Sequence, residues 1–380
     1  MRLLPALAVS SMLAFAAAVA AAAAGLPRQA AAHLAFAVGA MPLIFAAMGH
    51  FVPVLTRSGE APSWVRALPL LALAGGLGVV LSFLLTGAWL RGPTLASLPA
   101  LVSAAGMPIW IRVRGRGGLG KPHPGLWWYP AACLCLVLAL LAVPAMEIWP
   151  EARAALRLLH LHLNTLGFIG LTAIGTLQVL LPTAAGRPDP QAALRLRRDL
   201  PLALAGVLLV AAGAAWGGMP GRDVAGLGLL FWLLPLGRLG LAWFRSFRGE
   251  IFRRHGAAPS LAWALGGLLG MSLLGALHGA GFVDGVDAIA AWFLAFLLPL
   301  VSGAVSQLLP VWLRPGRQGA WHGQMRSQLQ RYGGARGGAF VVAGLGYGLG
   351  WHLVALAAVP ALGQFLWALT SLQRPVENAR

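Results

Sequence analysis

Apolar positions in this sequence run in unbroken stretches instead of alternating with polar ones, and Arg, Gly and Pro collect in the short gaps between them. An α-helix rises 1.5 Å per residue, so about 20 apolar residues cross the ~30 Å hydrocarbon layer of a bilayer. On that measure the pattern predicts twelve helical spans, at about 3–25, 33–55, 67–87, 93–111, 126–146, 157–182, 200–218, 224–244, 260–280, 287–312, 337–351 and 353–372. The first begins with Arg2 and a long Ala/Leu/Val run, which also resembles a secretory signal peptide. Its apolar stretch is longer than such a peptide uses, so it reads as a retained helix. The last two spans are short and admit a different division.

Composition agrees with this pattern. Of 380 residues, 59% are hydrophobic and 10% charged, and 50 Gly raise the apolar share to about 72%, far above the 45–50% of soluble domains. A single soluble core cannot hide so much apolar surface. The fold class is therefore an all-α integral membrane protein. Two cysteines, Cys133 and Cys135, lie inside one apolar run and form no disulfide framework; they read as small apolar residues or as soft ligands for Cu(I).

Prolines mark an internal repeat. The second, sixth and tenth spans end in His50-Phe-Val-Pro53, Val179-Leu-Leu-Pro182 and Gln307-Leu-Leu-Pro310, so a marker proline recurs at a near-constant interval. Ala46, Gly175 and Gly303 each lie seven residues before their proline, and Leu68-Pro69-Leu70 is echoed by Leu200-Pro201-Leu202. The chain thus reads as one membrane domain over 1–380, built of three pseudo-symmetric four-helix repeats at 1–125, 126–256 and 257–380.

The net charge of +18 would suggest nucleic acid in a soluble protein. In a membrane protein it reports orientation. With the N-terminus inside, 22 of the 28 basic residues fall in inner loops and five in outer ones, with Arg238 inside the eighth span. This split follows the positive-inside rule for an N-in, C-in chain, and a nucleic-acid partner is dropped. Arg238 is expected to snorkel to the inner surface. No carboxylate is expected deep in any span.

Five of the nine histidines, His33, His160, His162, His278 and His352, fall at outer helix ends under this topology. His33 and His162 each lie twenty residues before their marker proline, so they occupy equivalent positions in the second and sixth spans. His160 and His162 are two apart, hence about 200° apart around a helix, and project to nearly opposite sides. Neutral imidazole is the usual histidine ligand for metals and heme iron. A heme held between His33 and His162, with His160 as a second ligand, is one reading. The other is that these side chains bond backbone carbonyls or Glu147 and Glu151 at the interface. Arg153 and Arg157 would serve heme propionates in the first reading and Glu147 and Glu151 in the second.

Twelve spans in three four-helix units resemble subunit I of the heme–copper oxidases, and the likeness covers the chain's architecture. The phrases His33-Leu-Ala-Phe-Ala-Val-Gly39, His160-Leu-His-Leu-Asn164 through Gly175-Thr176, and Leu308-Leu-Pro-Val311 are similar to those of shorter relatives, including nitric-oxide-response proteins of the NnrS type. The resemblance implies a bacterial inner-membrane protein carrying heme b, with copper as a further option and a redox partner, and it matches His33 to the family's low-spin heme ligand. The departures are large. The tenth span holds no His, the seventh (200–218) has none, and Asn164 and Leu166 stand where a ligand-linked Tyr would be. Dioxygen reduction and proton pumping are therefore not expected, and whether the chain is an enzyme stays open. The roles that remain are redox sensing, nitric-oxide handling or electron transfer. The alternatives are a metal or heme transporter, or a non-catalytic assembly partner that keeps the fold.

Overall fold

The computed structural model describes residues 3–85, 92–117 and 120–371, and every regular element among them is helical. Arg2, Arg91, Arg374 and Arg380 of the loop count, and the end of the expected last span at 372, lie outside these residues. Ten consecutive helices are long and apolar enough to cross a bilayer: α1 (Leu3–Ala23), α2 (Arg28–Thr56), α3 (Ser63–Leu84), α4 (Gly92–Gly117), α5 (Pro124–Ile148), α6 (Pro150–Ala185), α7 (Ala192–Trp216), α8 (Gly218–Ile251), α9 (Ala257–Gly279) and α10 (Ala288–Leu313). A short α11 (Ala320–Leu329) and a 16-residue α12 (Gly333–Gly348) follow, and α13 (His352–Ser371) is the eleventh helix of spanning length. The sequence pattern predicts twelve. The difference lies at 337–351, where the helix stops at Gly348, before a turn with Gly350 at φ +85°. Sixteen residues measure about 24 Å, less than the hydrocarbon thickness.

Three of the long helices loosen into π-helix: Leu34–Ala40 in α2, Leu163–Gly170 in α6 and Phe293–Leu297 in α10. Each segment begins at a similar distance before its marker proline, Pro53, Pro182 or Pro310. π-helix is rare in globular proteins and tends to mark functional sites.

The helices gather into two compact units. One comprises residues 17–179 and 189–239; the other comprises residues up to 16, 180–188 and those from 240 onward. In the first, α7 and α8 pack backbone to backbone. A Cβ on Gly206 would lie 2.7 Å from Trp232 N, and one on Gly213 would lie 2.5 Å from Gly221 O. Small residues at such crossings let helices approach where the lipid supplies no hydrophobic drive.

The same unit buries charge. α7 starts at Ala192, eight residues before the apolar run predicts, so the Arg195–Asp199 stretch is helical. Asp199, fully buried, therefore lies within a helix of spanning length, two turns from its start. Its Oδ1 accepts from Arg198 Nε at 2.9 Å and from Arg238 Nη1 at 2.8 Å. Arg238 is thus held by a carboxylate instead of simply snorkelling. Arg195 donates to Asp189 and, at 3.3 Å, to Gln178 Oε1.

In the second unit, Ala295 of the α10 π segment is clasped by two glycines. A Cβ on Gly267 of α9 would lie 2.6 Å from the Ala295 carbonyl carbon and closer to its oxygen. One on Gly344 of α12 would lie 2.6 Å from Ala291 O. Phe15 meets Phe293 edge-on at 5.3 Å, and Trp292 meets Phe296 at 4.7 Å. Pro310 has no N–H to give Ser306, four residues earlier; Gln330 Nε2 approaches that carbonyl at 3.5 Å and donates to Gln307 Oε1 at 2.8 Å. Arg336, 3% exposed, donates to the carbonyls of Leu329, the last residue of α11, and Arg331 just past it, and to Gln364 Oε1. A cation there compensates the negative end of that helix.

Candidate functional site

The π segments of α2 and α6 are each preceded directly by a histidine, His33 and His162. At the matching position in α10 stands Ala290, and that π segment follows Trp292 and packs against aromatic rings. Histidine chemistry is therefore concentrated at the α2 and α6 segments, both within the first unit.

The ring that meets His33 belongs to His160. Their centroids are 6.5 Å apart with planes inclined at 29°. His162, two residues further along, projects to a different side of the helix. Its Nδ1 bonds Leu158 O of its own helix at 2.8 Å. Counting from the marker prolines picks His162 as the equivalent of His33, but contact depends on which side of α6 faces α2. Phe83 of α3, not singled out by the sequence, lies 5.1 Å from the His33 ring on a tilted plane.

All three imidazoles are anchored through the same atom. His33 Nδ1 lies 2.7 Å from Gln29 O, and His160 Nδ1 lies 2.8 Å from Ala139 O of α5. A carbonyl only accepts, so Nδ1 carries the proton and Nε2 is the ring's acceptor. This is the outer-shell pattern that orients metal-ligating histidines. The α6 junction is reinforced as well. Asn164 Nδ2 donates to His160 O and Thr165 Oγ1 to Leu161 O, each at 2.8 Å. Such side-chain donors support carbonyls where the i→i−4 ladder is interrupted.

Arg153 and Arg157 stand at the start of α6, exposed, and form no ion pair among the described residues. Glu147 and Glu151 are exposed too and are not their partners. Among the described residues no group of three or more His, Cys, Asp or Glu is disposed to share a metal. His33 and His160 thus stand as a pair. His278 and His352 are engaged elsewhere: His278 with Val283 O at 2.9 Å, and His352 with Asp287 at 2.8 Å.

No protein-family model matches this chain, and no curated protein matches it.

Proposed function

We propose that this chain is a multi-pass membrane metalloprotein in which His33 and His160 hold one metal-centred cofactor, with heme b first and copper second. The finer architecture goes with this reading: twelve spans in three four-helix repeats, N-in and C-in, in a bacterial inner membrane, distantly like heme–copper oxidase subunit I. Three π segments in similar register with Pro53, Pro182 and Pro310 support the repeat. On this topology α12 would be a short crossing, and the histidine pair would lie toward the outer face.

The observation that carries the proposal is the His33–His160 pair. With metal–nitrogen bonds of about 2.0 Å and a ring nitrogen about 1.1 Å from its centroid, two imidazoles in line on one metal have centroids about 6.2 Å apart. The observed ring centroids, 6.5 Å apart, stand close to that separation. Both Nδ1 atoms are tied to carbonyls, which leaves Nε2 of each ring as the ligand atom. Exposed Arg153 and Arg157 on the same helix are available to heme propionates. Bound there, heme would supply one-electron chemistry. The chain's part is to fix the two imidazoles and their tautomers, and a redox or nitric-oxide-related role follows from such a centre.

The test is a reduced-minus-oxidised spectrum and metal analysis of the protein purified after expression with heme supply. A Soret band with one iron per chain is expected. His33→Ala and His160→Ala should each abolish it, and His162→Ala and His278→Ala should not. Lack of both a Soret band and stoichiometric iron or copper overturns the reading. In that case a transporter is favoured by the π and proline interruptions of α2, α6 and α10, because transporters use broken helices to build midplane sites.

A further inference from the structure

Apart from the histidines, the first unit holds a pair of soft ligands in contact. Cys133 Sγ of α5 lies 3.9 Å from Met48 Sδ of α2. Both side chains are buried, at 0% and 1% exposure. Cys135, two residues on, faces another neighbour: a Cβ on Gly167 would lie 2.5 Å from its Cβ. The geometry points to a second, sulfur-based site at Cys133 and Met48 that binds a monovalent soft cation, Cu(I), with Ag(I) as its mimic.

Three physical facts select that ion. Thiolate and thioether are the ligands that prefer Cu(I). Two metal–sulfur bonds of about 2.3 Å allow sulfurs up to about 4.6 Å apart, and the hydrogen bond from the Cys133 thiol to Met48 Sδ already brings the two sulfurs to 3.9 Å. Charge decides the rest. Cu(I) displaces the Cys133 thiol proton to water, forms a Cu–S bond and leaves a neutral Cu(I)–thiolate unit. Zn(II) at the same place would leave a net positive charge in a dry interior, which is strongly disfavoured. Zn(II) also wants four ligands, and no cluster of three or more His, Cys, Asp or Glu is present among the described residues. Met41, 6% exposed, lies seven residues before Met48 in the α-helical part of α2, so it is on the same face two turns toward His33. A soft donor therefore stands between the histidine pair and the sulfur pair.

This site does not depend on the heme reading. The experiment is anaerobic titration of the purified full chain with Cu(I), held reduced by ascorbate, against a chromophoric Cu(I) chelator. Copper X-ray absorption on the loaded protein accompanies it. One equivalent of Cu(I) with sulfur neighbours is expected, and it should persist in the His33→Ala/His160→Ala double variant. Cys133→Ser and Met48→Leu should each weaken it by at least about tenfold, while Cys135→Ser should not. Ag(I) should compete and Zn(II) should not. If Cys133→Ser does not fold, Met48→Leu and the wild-type absorption spectrum decide. Copper bound only through nitrogen, no competition with the chelator, or wild-type affinity in the sulfur variants would each overturn the site.

Discussion

Gly267 of α9 offers a sharp test of the packing, because Gly266 beside it is a built-in control. A Cβ on Gly266 meets nothing within 4 Å, whereas one on Gly267 meets the Ala295 carbonyl carbon at 2.6 Å, against 3.4–4 Å for ordinary contact. Replacing either by Ala gains about 0.8–1.0 kcal/mol of helix propensity. At Gly267 the obstacle is the Ala295 backbone, nearest at its carbonyl oxygen and already fixed between α9 and α12, so relief requires α9 to move by about 1.5 Å. Overpacking of this kind costs about 1–3 kcal/mol, and a rigid carbonyl places it at or beyond the upper end. Gly266→Ala is therefore expected to be neutral or more stable by up to about 1 kcal/mol, and Gly267→Ala less stable by about 2 kcal/mol. Unfolding by SDS titration in mixed micelles measures both against wild type. Equal or greater stability of Gly267→Ala would show that α9 and α10 do not meet at Ala295.

Two further outcomes concern charge. Asp199→Asn should destabilise by about 2 kcal/mol: breaking a buried pair costs more than this, but Arg238 is 36% exposed and water recovers part of the loss. Asp199→Leu combined with Arg238→Met should restore most of it, read as a double-mutant cycle. His123 caps the start of α5 by accepting from Gly125 N at 3.2 Å, and burial, then the Arg197 charge, lowers its pKa from 6.5. The neutral ring is the one the fold favours. Its contribution is complete above pH 6.5 and is lost as pH falls through the lowered folded-state value. Melting temperature in detergent should thus fall with acid more steeply for wild type than for His123→Asn, which keeps an acceptor and does not titrate; identical pH profiles would refute this.

Most of the spans are legible in the apolar runs, because crossing a bilayer demands continuous apolar length and little else. α7 is the exception. Arg195, Arg197, Arg198 and Asp199 end the apolar run and look like a loop, yet the helix continues because partners placed by folding neutralise the charges: Asp189 for Arg195, and Arg238 for Asp199. α12 fails in the other direction, since its Gly-rich apolar run extends past the residue where the helix stops. The histidine site is half legible. Proline spacing marks the level of His33 and His162 but is blind to rotation. Which of two imidazoles on opposite sides of α6 meets α2 is fixed by the approach of that helix. The π segments have no signature in apolar periodicity. Phe83 and the Ala139 carbonyl come from other helices and have no local signal.

The π segment of α2 separates two kinds of information in the distance from His33 to Pro53. A π turn accommodates additional chain between i and i+5 partners while the helix on either side stays intact. Removing one residue from Leu34–Ala40 would thus leave a continuous, equally apolar helix that still spans. It would also leave His33 in nearly its present direction, because a π turn holds about one residue more than an α turn; winding all seven residues as α-helix would instead turn His33 by about 100° relative to Met48 and Pro53, away from His160. Hydropathy would register no change, and neither would the identity of any side chain at the pair. The π winding of this segment, more than its composition, aims the histidine.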